Sequence, residues 1–519
     1  MKKCRCICLI ALLLCSLCLP ALALDGEEAD GFAYLFVGQN EVTIVDYGLW
    51  TEKNVVVPEK IGGHNVTSIA PRAFADHDEI QSLTLPDTVY RISAGAFENC
   101  SGLKTIDMPS ALEILGDYAF AGCRALSAIA LPESLTGLGA NPFWYCENLK
   151  TIRLSPGHPT LEMIGPALCH KRSHTLIAFL MSGQKAAYTV PEGIQRIGEG
   201  AFRDCEKLRQ VGLPASLTAI EDRAFQDCQG LRSITLPQGM TQLGSYAFQR
   251  CGSLKAVSLP NSLTEMGANP FAQCGSLTDL RLEGSSSAFA VQEGMLYDTA
   301  HQRLIYSPLG IEKAAVREGT EIIGSHAFSW CVKLRDITLP DSLLSIESNA
   351  FYRCIALEGV KLPEGLTALN DSAFYECLSL QTVDVPESVV SLGQAVFAEC
   401  AGLREATLPG GLAWIPNALF YNCSSLEAMH IPEGVKALGE YAFYNCAALK
   451  EITLPGQVER LGFRAFMDCA SLTDMTLPAS LTEIDDALPW SKAVRYHVAP
   501  GSYAEGYCRE QDLQCVYDQ

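Results

Sequence analysis

The chain has 519 residues, of which 38 are Lys or Arg and 59 are Asp or Glu, so its formal net charge is -21. Such an acidic chain is repelled by nucleic-acid phosphates and by anionic membrane surfaces, which argues against both as partners. A hydrophobic fraction of 48% is too high for a disordered protein.

The first 23 residues are predicted to be a cleaved signal peptide. Lys2, Lys3 and Arg5 precede an apolar run over residues 7–19, and residues 21–23 are small enough for cleavage after the last of them. The run is shorter than the ~20 residues that a membrane span needs, although an uncleaved anchor is the alternative. The mature chain, with a net charge of -24, contains no later apolar run of spanning length. We therefore expect a secreted or cell-surface protein without membrane insertion.

Residues 24–65 are predicted to form an N-terminal β cap. Three segments rich in β-branched and aromatic residues begin at Phe32, Val42 and Asn54, as is typical of short strands. The segment lacks the motif that is repeated later in the chain. We expect it to shield the open edge of the first repeat.

A motif of 23 residues is then repeated along most of the chain. Residues 96–116, AFENCSGLKTIDMPSALEILG, give the pattern A-F-x-x-C-x-x-L-x-x-I-x-L-P-x-x-L-x-x-I-G. One copy cannot bury its apolar positions alone, whereas stacked copies share a continuous core, so the pattern predicts a solenoid in which each copy is one coil. Within a coil, I-x-L predicts a strand that Pro109 ends, and the spacing of A-F-x-x-C-x-x-L predicts a short helical turn.

The repeat phenylalanine marks fifteen coils, which form three runs: Phe74, Phe97, Phe120 and Phe143; Phe202, Phe225, Phe248 and Phe271; and Phe328, Phe351, Phe374, Phe397, Phe420, Phe443 and Phe466. The predicted segments are runs at 66–154, 196–282 and 321–494, inserts at 155–195 and 283–320, and a C-terminal cap at 495–519. The two inserts align, with Cys169 opposite Tyr297, and each is predicted to be a hairpin of two strands around a polar turn. The predicted fold class is an α/β, mostly β, solenoid of 23-residue coils with two hairpin inserts and terminal caps.

The repeat units, the inserts and the tail V-A-P-G-S-Y-A-E-G-Y resemble BspA-type leucine-rich repeat proteins. The resemblance extends from about Gly31 to Tyr517. It implies a leucine-rich repeat superhelix in a secreted or cell-surface protein of bacteria or protists, with adhesion to host or extracellular-matrix proteins in some members. It implies no catalytic residue.

Seventeen cysteines remain after signal removal, and fourteen of them occupy the same position of the repeat. Side chains at equal positions of neighbouring coils point in parallel, which disfavours disulfides between coils, and thiols in a line form no tetrahedral metal cluster. We predict a ladder of buried thiols that fill one slot per coil, with disulfides and metal binding as the alternatives. Cys508 and Cys515 fall outside the ladder, and a disulfide between them stays open.

No motif of a nucleophile, a metalloprotease, a phosphate-binding loop or a dinucleotide site is found in the sequence. The one metal-like group is Cys169, His170 and His174 with nearby His158. Its spacing is not that of a closed ligand set, and the turn of a hairpin accounts for solvated polar residues. We therefore predict no enzyme, cofactor or metal, and keep an enzyme or metal protein centred on this insert as a minor hypothesis.

Two surfaces of the predicted solenoid are candidates for binding a partner. Outward-facing strand positions are mostly Thr, Ser and Asp, so a sugar-stacking groove is not expected on that face. The better candidate is the position after the repeat phenylalanine, where Tyr352, Tyr375, Tyr421 and Tyr444 form a stripe that Ala398 interrupts. The alternative is that these tyrosines only pack on the rim of each coil.

Together these observations predict a monomeric, non-catalytic extracellular protein that binds a host or extracellular-matrix protein. The alternative is a structural or self-associating surface protein without a specific host ligand. Caps at both termini disfavour growth by end-to-end association.

Overall fold

The computed structural model describes residues 27–29, 31–48, 51–180, 186–286, 288–489 and 493–517. Residues 1–23, the predicted signal peptide, lie outside this part. The described residues divide into two compact units. Unit 1 holds those up to residue 180 together with Gly193–Cys205, and unit 2 holds Ala186–Glu192 and those from Glu206 onward.

Almost all regular structure is short β-strand. From residue 27 to residue 197 the strands are β1 (Glu27–Ala29), β2 (Phe32–Phe36), β3 (Glu41–Asp46), β4 (Asn54–Val56), β5 (Lys60–Ile61), β6 (His64–Ile69), β7 (Ser82–Thr84), β8 (Arg91–Ile92), β9 (Thr105–Asp107), β10 (Ile114–Leu115), β11 (Ala128–Leu131), β12 (Gly137–Leu138), β13 (Thr151–Leu154), β14 (Leu161–Ile164), β15 (Ala167–His170), β16 (Thr175–Phe179), β17 (Ala187–Thr189) and β18 (Arg196–Ile197). Of these, β17 belongs to unit 2.

The remaining strands, all in unit 2, are β19 (Gln210–Gly212), β20 (Ala219–Ile220), β21 (Ser233–Thr235), β22 (Gln242–Leu243), β23 (Ala256–Pro260), β24 (Glu265–Met266), β25 (Asp279–Glu283), β26 (Phe289–Gln292), β27 (Met295–Asp298), β28 (Arg303–Tyr306), β29 (Lys313–Ala315), β30 (Ile322–Ile323), β31 (Asp336–Thr338), β32 (Ser345–Ile346), β33 (Ala368–Leu369), β34 (Thr382–Asp384), β35 (Ser391–Leu392), β36 (Glu405–Thr407), β37 (Trp414–Ile415), β38 (Ala428–His430), β39 (Ala437–Leu438), β40 (Glu451–Thr453), β41 (Arg460–Leu461), β42 (Asp474–Leu477), β43 (Glu483–Ile484), β44 (Arg495–Val498) and β45 (Gln514–Val516). One helix is described, α1 (Tyr503–Glu510).

A typical coil contributes one longer strand and one two-residue strand, and each pairs in parallel with its counterpart in the next coil. In unit 1, β7 pairs with β9 in the long-strand sheet, and β8 pairs with β10 in the short-strand sheet. Unit 2 repeats the pattern, for example in β21 with β23 and in β39 with β41. Each pairing joins residues one repeat apart, such as Leu83 with Ile106. This arrangement confirms the predicted mostly β solenoid.

The A-F-x-x-C segment forms consecutive turns, which corrects the expected helical turn. In the coil of Phe97, Gly95 and Asn99 both have φ near 60°, a left-handed conformation that a right-handed helix cannot include. These turns direct backbone N–H groups to the following coil, as in the bonds from Phe97 N to Ala119 O (2.8 Å) and from Asn99 N to Ala121 O (2.7 Å). The intervening N–H groups of Glu98 and Cys100 close turns within the coil, to Gly95 O (2.9 Å) and Phe97 O (3.2 Å). Hydrogen bonds within and between coils therefore alternate along the segment.

The repeat phenylalanines form a column of stacked rings in the core. Phe351 and Phe374 have ring centroids 4.9 Å apart and an interplanar angle of 3°. Phe97 and Phe120 are 5.1 Å apart in unit 1. These rings are fully buried. One aromatic ring per coil thus runs beside the cysteine position.

The repeat cysteines lie buried and their thiols donate to the phenylalanine carbonyl of the preceding coil. Cys100 Sγ lies 3.0 Å from Phe74 O, and Cys377 Sγ lies 3.3 Å from Phe351 O. No disulfide joins any of the described cysteines, including Cys508 and Cys515 of the tail. The ladder of buried thiols is confirmed. These thiols fill space in their coils and also donate hydrogen bonds to the preceding coils.

Each insert contains three antiparallel strands, β14–β16 and β26–β28, and not the two predicted. Gly165 and Gly294, with φ of 62° and 77°, turn the chain between the first two strands of each insert. A prediction of two strands treats the residues on both sides of such a glycine as one strand. Cys169 pairs with Leu176 and Tyr297 pairs with Leu304, so the predicted alignment of the inserts is correct.

The N-terminal cap has the same topology as the inserts. Strands β1, β2 and β3 form an antiparallel meander, and β3 then pairs in parallel with β6, as β16 does with β18 and β28 with β30. A register shift occurs at the matching place in all three, beside Tyr34, Cys169 and Tyr297. A three-stranded meander therefore precedes each run of coils. The residue boundaries of the predicted segments stay predictions.

An asparagine at the end of each of the first two runs forms a hydrogen bond with a backbone carbonyl that follows the insert in the sequence. Asn141 donates through Nδ2 to Gly200 O (2.6 Å) within unit 1, and Asn269 donates to His326 O (2.8 Å) within unit 2. Both belong to the sequence G-A-N-P-F that ends the run. These bonds keep consecutive runs attached on either side of a meander.

The tail closes the long-strand sheet of unit 2. Strand β44 pairs with β42, and β45 pairs with β44 after the excursion through α1. Ser502 caps the N-terminus of α1 by accepting from Glu505 N (3.2 Å), and Glu505 Oε2 accepts from Gly501 N (2.6 Å). Such reciprocal capping stabilises a helix of only eight residues.

Candidate functional site

The four predicted partner-binding tyrosines, Tyr352, Tyr375, Tyr421 and Tyr444, are here called the tyrosine stripe. Each follows a buried repeat phenylalanine and precedes a residue in the left-handed conformation, such as Glu376 with φ of 58°. Because the phenylalanine side chain enters the core, its neighbour in the turn is directed away from it. All four tyrosines are half-buried.

The structure brings the tyrosine stripe together as two stacked pairs. Tyr352 and Tyr375 have ring centroids 5.2 Å apart with an interplanar angle of 14°, and Tyr421 and Tyr444 are 5.1 Å apart at 11°. Ala398, only 1% exposed, occupies the intervening coil. The stripe thus consists of two aromatic pairs separated by one coil without an aromatic residue at this position.

A tryptophan missed by the sequence reasoning extends the first pair. In its coil, Trp330 comes one residue after the position that the stripe tyrosines occupy in theirs. Its ring lies 6.3 Å from that of Tyr352. Arg353 lies over the Trp330 ring at 4.2 Å and forms an ion pair with Glu376 at 2.7 Å. The sequence contains a signal for this residue, since Trp330 stands two residues after the repeat phenylalanine, whereas the predicted stripe uses only the position directly after it.

The second pair is extended by residues from the other side of the turn. The Tyr441 ring lies 6.3 Å from that of Tyr421 and 5.8 Å from that of Tyr444. Phe463 packs edge-on against Tyr441 at 5.5 Å. The signal here was a tyrosine two residues before the repeat phenylalanine, a position that Tyr118 and Tyr246 also occupy.

Acidic and amide groups line the tyrosine stripe. Burial, followed by the charge of Glu399, raises the pKa of Tyr375 above its ordinary value. A hydrogen bond with Asp468 raises the pKa of Tyr444. Asn422 donates to Glu399 Oε1 at 2.7 Å. Tyr375 and Tyr444 therefore stay neutral near pH 7. The four tyrosines present hydroxyl groups and ring faces in an acidic setting, which suits recognition of a polar or basic protein surface.

The metal-like group of the first insert is held in structural hydrogen bonds. His158 is buried, with Nε2 3.0 Å from Pro132 O, and its Nδ1 accepts from Leu161 N at 3.2 Å. Cys169 is buried in β15, and His170 Nδ1 accepts from Ser173 N at 3.1 Å. Among the described residues, no three or more His, Cys, Asp and Glu side chains are grouped so that they could hold a metal ion.

Comparison with known proteins identifies the repeats. A family model described as a BspA type leucine rich repeat region matches residues 67–177, 177–293, 321–437 and 413–488. No curated protein sequence matches the chain.

Several solved structures are similar to this chain. A leucine rich cell surface protein from Faecalibacterium prausnitzii is 22% identical, with 93% of this chain and 96% of that chain covered and a TM-score of 0.31. A leucine-rich repeat protein from Bacteroides ovatus is 22% identical, with 95% and 100% covered and a TM-score of 0.34. One from Eubacterium ventriosum is 20% identical, with 67% and 92% covered and a TM-score of 0.41.

The part of the chain that the structure describes contains no helix with both the length and the apolarity to cross a bilayer. Leucine-rich repeats of this kind are scaffolds for protein interaction and are typically non-catalytic. The family model covers well over half of the sequence and includes the coils. The chain belongs to the BspA-type leucine-rich repeat family.

Proposed function

We propose that this protein is a non-catalytic extracellular binding protein, and that the tyrosine stripe is the surface that contacts its protein partner. The observation that carries the proposal is the stacking of Tyr352 on Tyr375 and of Tyr421 on Tyr444 at the rim of consecutive coils. Half-buried tyrosines add contact area at a small cost in conformational entropy, because their rings are already held by their neighbours.

The chemistry around the stripe favours a partner with basic and polar groups. Glu376, Glu399 and Asp468 lie beside the rings, and the whole chain is acidic. Complementary charge accelerates association and selects against acidic partners. We propose a host or extracellular-matrix protein as that partner, since residues 1–23 are predicted to direct export.

Binding of the signal-free chain to immobilised matrix proteins and to host cells tests the proposal. Replacing Tyr352 and Tyr375 together with alanine should weaken saturable binding by about tenfold or more, as expected for aromatic anchors at the centre of an interface. Replacing both with phenylalanine keeps the stacked rings and should retain most of the affinity.

The controls separate loss of contact from loss of structure. A double substitution of Thr338 and Thr453 with alanine, on exposed strand positions, should leave binding unchanged. Unfolding temperatures of all variants should be compared. Unaltered binding after the tyrosine substitutions would contradict the role of the stripe, and binding to no matrix protein or cell would contradict the proposed partner class. Concentration-dependent self-association in light scattering would instead support a structural role.

A further inference from the structure

The short-strand sheet of unit 2 is interrupted at one coil for a reason visible in the sequence. In most coils a glycine follows the short strand and donates to the preceding coil, as Gly393 N does to Leu369 O at 2.7 Å. Pro416 occupies this position one coil later and has no N–H to donate to Leu392 O. The sheet that contains β35 ends there, and β37 begins a separate sheet.

A groove of about 430 Å³ opens at this interruption. Trp414, the first residue of β37, lies in its wall with 63% of its surface exposed. No other coil carries an aromatic residue at this position, and the residues at the same position in the two adjacent coils are Ser391 and Ala437. Small neighbours leave the indole uncovered, so it forms a flat aromatic platform at solvent.

Polar groups in fixed positions surround the platform. Asp371 Oδ1 accepts from Gln394 N at 2.8 Å, and Asn417 Oδ1 accepts from Glu440 N at 2.9 Å. Each bond fixes the side chain through one oxygen. The second carboxylate oxygen of Asp371 and the amide NH₂ of Asn417 are then available to a ligand.

Further donors and acceptors complete the groove. Gln394, Glu440 and Arg460 line it together with Asp371 and Asn417. Arg460 also forms an ion pair with Glu483 at 3.3 Å. The groove therefore mixes carboxylate, amide and guanidinium groups around one indole, and no single sign of charge dominates it.

We propose that this groove binds a neutral saccharide, with one pyranose ring stacked on Trp414 and its hydroxyl groups bonded to Asp371, Asn417 and Glu440. A pyranose has an apolar face of C–H groups that packs on an indole, and hydroxyl groups that both donate and accept. The groove volume lies within the range of ligand sites, about 300–1,000 Å³. A basic peptide fits less well, because Arg460 lies in the groove and part of the rim is amide.

The inference is independent of the proposed function, since the groove is not part of the tyrosine stripe. An array of neutral gluco-, manno-, galacto- and xylo-oligosaccharides should identify a bound glycan, whose affinity is then measured by calorimetry. Replacing Trp414 with alanine should weaken binding by about tenfold or more, and replacing it with phenylalanine should weaken it less.

A second variant tests the origin of the groove. Pro416→Gly restores the repeat sequence and supplies the N–H that Leu392 O lacks, so it should narrow the groove and weaken binding while Trp414 stays in place. The double alanine substitution of Tyr352 and Tyr375 is the matched control and should leave saccharide affinity unchanged.

Three outcomes would overturn the proposal: no neutral oligosaccharide on the array binds, the Trp414→Ala chain binds with unchanged affinity, or basic peptides and not saccharides bind in a manner that depends on Trp414. Because Trp414 is exposed, its substitution should leave the unfolding temperature unchanged, which distinguishes loss of the platform from loss of fold.

Discussion

Replacing Phe374 with alanine is expected to lower the free energy of unfolding by about 3–5 kcal/mol. The side chain is fully buried, and its ring stacks on Phe351 at 4.9 Å and on Phe397 at 5.8 Å. The substitution leaves a cavity in the middle of the column, and the interdigitated coils on either side can close it only in part. Two ring–ring contacts are lost in addition to the buried area.

Urea denaturation followed by circular dichroism measures the global effect. Amide hydrogen exchange locates it, because repeat arrays can open a few coils at a time and a single unfolding free energy then does not describe them. Exchange should increase most in the coils of Phe351, Phe374 and Phe397. Thr382→Ala, at an exposed strand position, is the control and should change stability by no more than about 0.5 kcal/mol. A loss below about 1 kcal/mol for Phe374→Ala would contradict the stacked column as the core.

Raising the pH above about 9 should unfold the protein over a narrow range. Burial raises the pKa of Cys100, Cys146, Cys331 and Cys469 from 9.0 to about 12. The unfolded chain therefore loses thiol protons from about pH 9, while the folded chain keeps them. Because the unfolded state then binds fewer protons, stability falls as pH rises, by up to about 1.4 kcal/mol per pH unit for each thiol. The thiol contribution is fully present below about pH 9 and is lost as the pH approaches about 12.

Urea midpoints measured between about pH 8 and pH 10 test this dependence. They should be constant at the lower end and fall steeply from about pH 9. A variant with serine at Cys354, Cys377 and Cys446 keeps a hydroxyl donor toward the phenylalanine carbonyls. It removes three thiols whose pKa is raised by burial, so its midpoint should fall less steeply. Midpoints that stay constant up to pH 10 would contradict a ladder of protonated, buried thiols.

Periodicity predicted the solenoid because the 23-residue spacing places identical residues at identical places in every coil. The apolar positions of the repeat, such as Leu103, Ile106 and Leu112, are buried in the shared core that the pattern predicted. The thiol ladder was predicted on the same basis. Its hydrogen bonds, such as that from Cys377 to Phe351 O, could not be foreseen, because they depend on the offset between neighbouring turns.

The expectations that failed concerned backbone conformation. Apolar spacings of three and four are shared by a helix and by a chain of turns, and the left-handed residues that decide between them, such as Asn99, include ordinary side chains as well as glycine. The equivalence of the N-terminal cap and the inserts was hidden because their strands share topology and a register shift but little sequence. Helix α1 was also not predicted.

The candidate sites were predicted only in part. The tyrosine stripe followed from the repeat, whereas Trp330 and Tyr441 join it from neighbouring positions of the turn. The Trp414 groove depends on a departure from the repeat, namely the proline that replaces glycine. It also depends on the space between neighbouring coils, which a sequence pattern does not contain. Deviations from the consensus therefore carried more information about candidate sites than the consensus did.

Each meander is followed by a run of coils with the same backbone arrangement, and this makes the length of a run adjustable. Adding or deleting 23 residues between two coils that keep the consensus preserves both parallel sheets, the ring column and the thiol ladder, because such coils offer their successors the same edge. Recombination between neighbouring repeats in the gene would thus change the reach of the protein in whole coils. The number of coils can therefore change in evolution while the structure of each coil stays the same.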